Sequence, residues 1–181
     1  MIKFAKVFDV KSPDRGGSKL NAGIDFYIPD YSQDFMMQLG EKNKNNNVKA
    51  WLGRSEGEDL RLHIEVGPHS QVNIPSGIKV ILPEDKCLIA VNKSGVATKY
   101  NLHVGAQLID PNYRGQIHIN LLNNSDQPIK LQEGQKIVQF LEMDFYTDDF
   151  EEIGILEYNM TPDPDERGEK DLAKVQEVFK F

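Results

Sequence analysis

The sequence predicts an all-β domain of sandwich, barrel or jelly-roll type. From Leu62 onward, short runs such as "LHIEV", "SQVNIPSGIKVIL", "CLIAVN", "QIHINLL", "PIKL" and "KIVQFLEM" carry apolar residues, often in alternation. The segments "GP", "PSG", "PED", "NNSDQ" and "EG" lie among them and read as turns. The chain has 181 residues, 39% hydrophobic and 27% charged, which suits one domain with a buried core. No repeat is visible at the ~20–50-residue periods of solenoids and propellers.

Each element follows from local pattern. Ile2, Phe4, Val7 and Phe8 predict an opening strand, and "SPDRGGSK" a loop rich in breakers. "AGIDFYIP" (Ala22 to Pro29) predicts a short strand between turn signals. Residues 32–61 break the pattern. Phe35, Met36 and Leu39 fall at helical spacing and an Asn/Lys run follows. This segment predicts a short helix, a loop and a small hairpin around Trp51, inserted into the β domain. At the other end, "TPDPDERGEKD" reads as a solvated linker, and Leu172, Val175 and Phe179 space like one helix face. The expected organisation is a β domain over 1–160 and a helical C-terminal arm over 161–181.

Composition excludes several function classes. The net charge of -7 argues against a broad nucleic-acid surface, although local basic residues can still hold a small anion. No apolar run reaches the ~18 residues of a membrane span. "MIKFAKVFDV" alternates like a strand and lacks a signal-peptide core. The expected compartment is the cytoplasm, or a host's cytoplasm for a viral chain, with no membrane partner. Cys87 is the single cysteine and lies in an apolar run, so it reads as a core residue. His63, His69, His103 and His118 show no paired metal-ligand spacing. A phosphate-binding Walker loop, a dinucleotide glycine fingerprint and a nucleophile elbow are all absent.

Three corners carry groups suited to chemistry. In "VNKSGVATKYNL" a strand ends at Asn92, and Lys93, Ser94 and Gly95 lead into small residues. Such a turn offers backbone N–H groups, a hydroxyl and a lysine charge to a phosphate. An ordinary Ser-Gly turn uses the same letters. In "GAQLIDPNYRGQIHINLLNN" (Gly105 to Asn124), Asp110 precedes a Pro-Asn turn at a hairpin mouth. A carboxylate there can orient a water or accept a hydroxyl proton. Tyr113 could pack on a sugar, and Gly115 allows close backbone approach. An Asx-type turn with a packing tyrosine is the plainer account. In "LQEGQKIVQFLEM", Gln139 stands among Ile137, Val138 and Phe140. A buried glutamine needs partners, either a phosphate oxygen or a backbone carbonyl.

Taken in order, these stretches resemble the trimeric deoxyuridine triphosphatase (dUTPase) family. "NAGIDFYIP" is similar to its first motif, Ala-Gly-x-Asp-Leu, and "NKSGVA" to its second, Pro-Arg-Ser-Gly-x-Ala. "GAQLIDPNYRG" resembles the third, Gly-x-Ile-Asp-x-x-Tyr-Arg-Gly, and "EGQKIVQF" the fourth, Gly-Asp-Arg-Ile-Ala-Gln-Leu. The third is the most specific. The resemblance implies a distorted jelly roll of the β-clip kind, a homotrimer with active sites between subunits, and hydrolysis of dUTP to dUMP and pyrophosphate. It implies Mg²⁺ held by the triphosphate and waters, with no direct protein ligand. By correspondence, Asp110 positions the attacking water and Tyr113 packs on the deoxyribose. Hairpin backbone groups read the base. Lys93, Ser94, Gly95 and Gln139 contact the phosphates, and Asp25 supports the site.

The chain also departs from the family pattern. Asn92-Lys93 replaces Pro-Arg, and lysine lacks the bidentate fork of arginine. Gln107 stands where a small residue often lies close to the base. Residues 32–61 have no counterpart in compact members. The family's glycine-rich arm is reduced to Arg167-Gly168, with Leu172 in place of a base-stacking phenylalanine. Arg167 corresponds to a phosphate ligand, yet sits in a stretch that reads as solvated linker. Phe179 and Phe181 are the aromatic residues left to close a site. Deoxycytidine triphosphate deaminases share the fold but carry a glutamate in the returning strand. Here that position is Asn120, with no acid from Gln116 to Asn124, which disfavours deamination. Two further readings are a non-catalytic protein on the same fold and a broader nucleotide pyrophosphatase.

Overall fold

The computed structural model describes residues 1–54 and 59–160. The chain divides into two compact units, Met1–Tyr146 and Thr147–Phe181. In chain order the first unit contains β1 (Lys3–Lys6), β2 (Ile24–Tyr27), α1 (Gln33–Asn43), β3 (Val48–Gly53), β4 (Arg61–Val66), β5 (Gln71–Ile81) and β6 (Lys86–Asn92). It continues with α2 (Ser94–Tyr100), β7 (Leu102–Val104), β8 (Leu108–Ile109), β9 (Gln116–Asn123), β10 (Ile129–Gln132) and β11 (Lys136–Asp144). The second unit contributes the short helix α3 (Ile155–Met160). The expected arm over 161–181, with Arg167, Leu172, Phe179 and Phe181, lies outside the described residues.

The strands form three antiparallel sheets, ordered β1-β5-β9-β7, β10-β4-β3 and β2-β11-β6-β8. Alternation decides what each buries. In β9, Ile117, Ile119 and Leu121 point inward while Gln116, His118 and Asn120 point to the other face. Leu62, Ile64 and Val66 of β4, Val72 and Ile74 of β5, and Ile137, Val138 and Phe140 of β11 complete one shared core. Cys87 is buried, as expected. No helix among the described residues is long and apolar enough to cross a membrane.

The segment after Asp30 forms the expected helix and hairpin. Ser32 caps α1 by accepting the Phe35 N–H at 3.1 Å. Phe35 and Leu39 are buried, and the Phe35 ring meets Phe8 edge-on at 5.6 Å. Asn43 fastens the helix end to β5: its amide donates to the Asn73 carbonyl and its Oδ1 accepts the Asn73 N–H, both at 2.8 Å. β3 and β4 then pair from Val48↔Val66 to Gly53↔Arg61, with Trp51 stacked on His63.

One sequence expectation is corrected. "PSG" does not end a strand. Pro75, Ser76 and Gly77 lie inside β5, where the register moves from Pro75↔His118 to Lys79↔Gln116. The strand therefore bulges rather than turning back. Gly77 has a φ of 74°, and a Cβ there would meet Val10 at 3.1 Å and Phe8 at 3.2 Å. Both the backbone conformation and the space require glycine. Gly77→Ala should destabilise the fold by about 1–3 kcal/mol, read as a lowered urea midpoint with unchanged slope.

Candidate functional site

The first corner is assembled by register. Asp25 of β2 lies opposite Gln139 of β11, which lies opposite Val91 of β6. Cross-strand partners share a face, so Asp25 and Gln139 stand side by side, with Lys93 just beyond the end of β6. Asp25 is only 5% exposed. A carboxylate so far from water requires partners, and it has two. Lys93 Nζ donates to Oδ1 and Lys136 Nζ to Oδ2, each at 2.7 Å. Burial pushes the Asp25 pKa up, but the hydrogen bonds from Lys136 and Lys93 outweigh it and leave it below the ordinary 3.8. The same pairing raises Lys136 above its ordinary value.

Lys136 is a site residue that motif reading passes over. On a regular strand, residues three apart face opposite ways. A bulge between Lys136 and Val138 inverts the parity, so Lys136 pairs with Tyr27 while Gln139 pairs with Asp25. Both then face Asp25. Arg15 is the other residue passed over. It lines the same cavity of about 320 Å³, with Asn21, Gly23, Asp25, Lys93 and Gln139. Its guanidinium donates to the Asn21 and Ala22 carbonyls and so pins the loop before β2. The glycines and proline of that loop gave its turn character, but nothing in the sequence placed Arg15 near Asp25.

Gln139 is half-buried, and its amide donates to the Asn92 carbonyl at 3.0 Å. That leaves Oε1 over Gly23, where a Cβ would collide with it. Lys93 also precedes α2, and its carbonyl accepts the Val96 and Ala97 N–H groups. Ser94 and Gly95 are exposed in the first turn, and a Cβ on Gly95 would meet nothing within 4 Å. No packing among the described residues explains that glycine.

The second corner is the β8–β9 turn, and here the hairpin expected from the sequence is corrected: β8 pairs with β6 while β9 pairs with β5 and β7, so the chain changes sheets across this turn. The Asp110 carbonyl accepts the Tyr113 N–H at 3.1 Å, closing the Pro111-Asn112 turn. The Asp110 side chain is exposed and makes no hydrogen bond or ion pair among the described residues. Tyr113 folds back over Gly115, where a Cβ would sit 2.5 Å from its hydroxyl oxygen. The hydroxyl donates to the Gln116 carbonyl at 2.7 Å. Gly115 thus makes room for Tyr113, whose ring its hydroxyl bond holds against the β8–β9 turn. Gln107 is exposed, with its carbonyl accepting the Ala90 N–H.

These corners do not meet within one chain. Asp110 follows Ile109, which pairs with Leu88, while Asp25 aligns with Val91 three strand spacings away. At ~4.8 Å per strand and ~3.4 Å per residue, Asp110 and Asp25 are on the order of 20 Å apart.

The electrostatics yield a pH test. A depressed carboxylate pKa contributes stability that is fully present above its unfolded value and lost as pH falls through the folded value. Asp14, held at about 2 by hydrogen bonds from Tyr27 and the Gly16 N–H, behaves likewise. Asp25→Asn should lower stability at neutral pH by about 2 kcal/mol. The gap to the parent should close below pH 3.8, where Asp25 takes up its proton. Urea titrations across this range measure both.

The family model for dUTPase matches residues 58–170. A deoxyuridine 5'-triphosphate nucleotidohydrolase of Dictyoglomus turgidum is 32% identical over 99 residues, 51% of this chain and 67% of the relative. One from Candida albicans is 32% identical over 101 residues, 56% of this chain and 61% of the relative. A solved dUTPase of phage phi11 of S. aureus, a point mutant studied for its coordination of a structural Mg(II) ion, superposes with a TM-score of 0.60 at 18% identity. That match covers 84% of this chain and 96% of the phage protein. With the all-β architecture and the family match over most of its length, the chain belongs to the dUTPase family.

Proposed function

We propose that this protein hydrolyses dUTP to dUMP and pyrophosphate, at sites built between copies of the chain in a homotrimer. The observation that carries the reading is Asp110: an exposed carboxylate on a hydrogen-bonded turn, with no partner among the described residues. Structural aspartates in turns normally accept local N–H groups. Among the described residues, none is donated to this one.

The phosphate end of the site is the Asp25 corner. Asp25 holds Lys93 and Lys136 in place, and an ammonium has three N–H groups, so each lysine can still donate beyond its bond to Asp25. The exposed backbone of Ser94 and Gly95 adds N–H donors, and the open space at Gly95 lets an oxygen approach closely. Gln139 stands beside them. Arg167 is assigned to the terminal phosphate by motif correspondence alone. The nucleoside end is the β8–β9 turn and the linker before it, with the Tyr113 ring for the deoxyribose and the Gln107 linker for the base.

Asp110 orients a water and accepts its proton as the oxygen attacks the α-phosphorus. The bond from that phosphorus to the α,β-bridging oxygen breaks, and pyrophosphate leaves toward the lysines. Among the described residues, no group of three or more His, Cys, Asp or Glu side chains is gathered for a metal. Both Asp25 oxygens are taken by lysines. This donor set fits a Mg²⁺ that arrives on phosphate oxygens and keeps its waters. When bound, Mg²⁺ supplies charge neutralisation at the phosphates.

The ~20 Å between Asp110 and Asp25 supports a site completed by a second copy, because a base must lie within hydrogen-bond reach of the water it activates. Pyrophosphate release from dUTP, with dTTP and dCTP as controls, tests the reaction. Asp110→Asn should keep the fold and lose about 10²–10⁴-fold in kcat. Near-parent turnover in the folded variant contradicts the assignment. Equal turnover of all three nucleotides would favour a broader pyrophosphatase, and no turnover of any would favour a non-catalytic protein.

A further inference from the structure

Between β7 and β8 the chain crosses from one sheet to another in three residues, Gly105, Ala106 and Gln107. Gly105 still belongs to the first sheet, donating its N–H to the Asn120 carbonyl at 3.1 Å. Gln107 already belongs to the second, its carbonyl accepting the Ala90 N–H at 2.8 Å. Ala106 lies between and has no ladder partner. Its N–H is taken instead by the Asn120 side chain, whose Oδ1 accepts it at 3.2 Å.

Asn120 is itself oriented. Its Nδ2 donates to Asn73 Oδ1 at 2.8 Å and to Gln71 Oε1 at 3.3 Å. With the amide nitrogen committed to those two acceptors, the oxygen must face the linker. Asn73 is in turn gripped through its backbone by Asn43 at the end of α1. Gly105 fits the same arrangement: a Cβ there would occupy the place of Asn120 Oδ1. An apolar residue at 120 would break all three bonds.

The Gln107 side chain makes no hydrogen bond among the described residues, and it stands at the linker end held by Asn120. A carboxamide presents a donor and an acceptor side by side, the chemistry of a pyrimidine's pairing edge. We propose that Asn120 is a positioning residue for base choice. It holds the Gly105–Gln107 linker, and with it the Gln107 carboxamide, where the pyrimidine edge of a deoxynucleotide is read. This rests on the nucleoside-binding reading of the β8–β9 turn.

The test compares parent, Asn120→Leu, Asn120→Asp and Gly105→Ala, each checked for melting temperature and oligomeric state. Steady-state kinetics are measured with dUTP and dCTP. Asn120→Leu should raise KM for dUTP about tenfold, with a smaller change in kcat, because the Ala106 N–H loses its acceptor. The preference for dUTP over dCTP should fall with it. Asn120→Asp keeps an acceptor toward Ala106, and Asn73 and Gln71 can turn their amides to donate. It should recover most of the loss. Gly105→Ala leaves Asn120 in the chain but displaces its side chain, and should reproduce the Leu variant even where the latter folds poorly. If either folded variant has the parent's KM and the parent's preference, the inference is overturned while the hydrolase reading stands. A parent that neither binds nor cleaves any deoxynucleotide overturns both.

Discussion

The site depends on one buried carboxylate. Asp25 sits almost out of water, and it stays charged because two lysines reach it, Lys93 from just beyond β6 and Lys136 from β11. The dependence runs both ways. Without Asp25, Lys93 and Lys136 would be long flexible cations with no fixed position. With it, two positive charges stand beside a cavity that Gln139 and the β2 loop complete. A lysine is a point charge on a flexible stem, so the family's arginine fork is not reproduced at position 93. Two anchored lysines instead of one fork is how this chain can present comparable charge.

The β8–β9 turn follows an opposite logic. Asp110 is exposed and has no partner among the described residues, while its surroundings are tied down: the turn by the Tyr113 N–H, the ring by its hydroxyl bond to Gln116, the linker by Asn120. A rigid frame around a free carboxylate is what orientation of a water requires. The inserted helix is tied into this frame. Asn43 holds Asn73, and Asn73 holds Asn120. The α1 segment therefore packs against β5, which supports the Gly105–Gln107 linker proposed to read the base.

Much of this was legible in the letters. Alternation gave β4, β6, β9 and β11, helical spacing gave α1, and four motifs in order gave Asp25, Lys93, Asp110, Tyr113 and Gln139. What stayed hidden depends on register. "PSG" looks like a turn because its composition is that of a turn, and only pairing with both neighbours makes it a bulge. Lys136 looks like a turn lysine because the parity inversion beside it leaves no mark in the sequence. β7 and β8 are too short for a periodicity to show. In the sequence Asn120 stands out only for the acid it is not, and its side-chain hydrogen bonds reach Ala106 in the linker and Asn73 and Gln71 on β5, segments far apart in the chain.

The central claim is that Lys93 and Asp110 act together from different copies of the chain. It is tested by combining two variants, Lys93→Ala and Asp110→Asn, each prepared alone and then co-refolded into mixed assemblies. No single chain in the mixture carries both residues intact. If the site is shared, some interfaces unite an intact Lys93 with an intact Asp110, and dUTP hydrolysis returns well above the sum of the separate variants. If the mixture stays at that sum while mixed oligomers are demonstrably formed, the two corners do not meet between copies and the account is wrong.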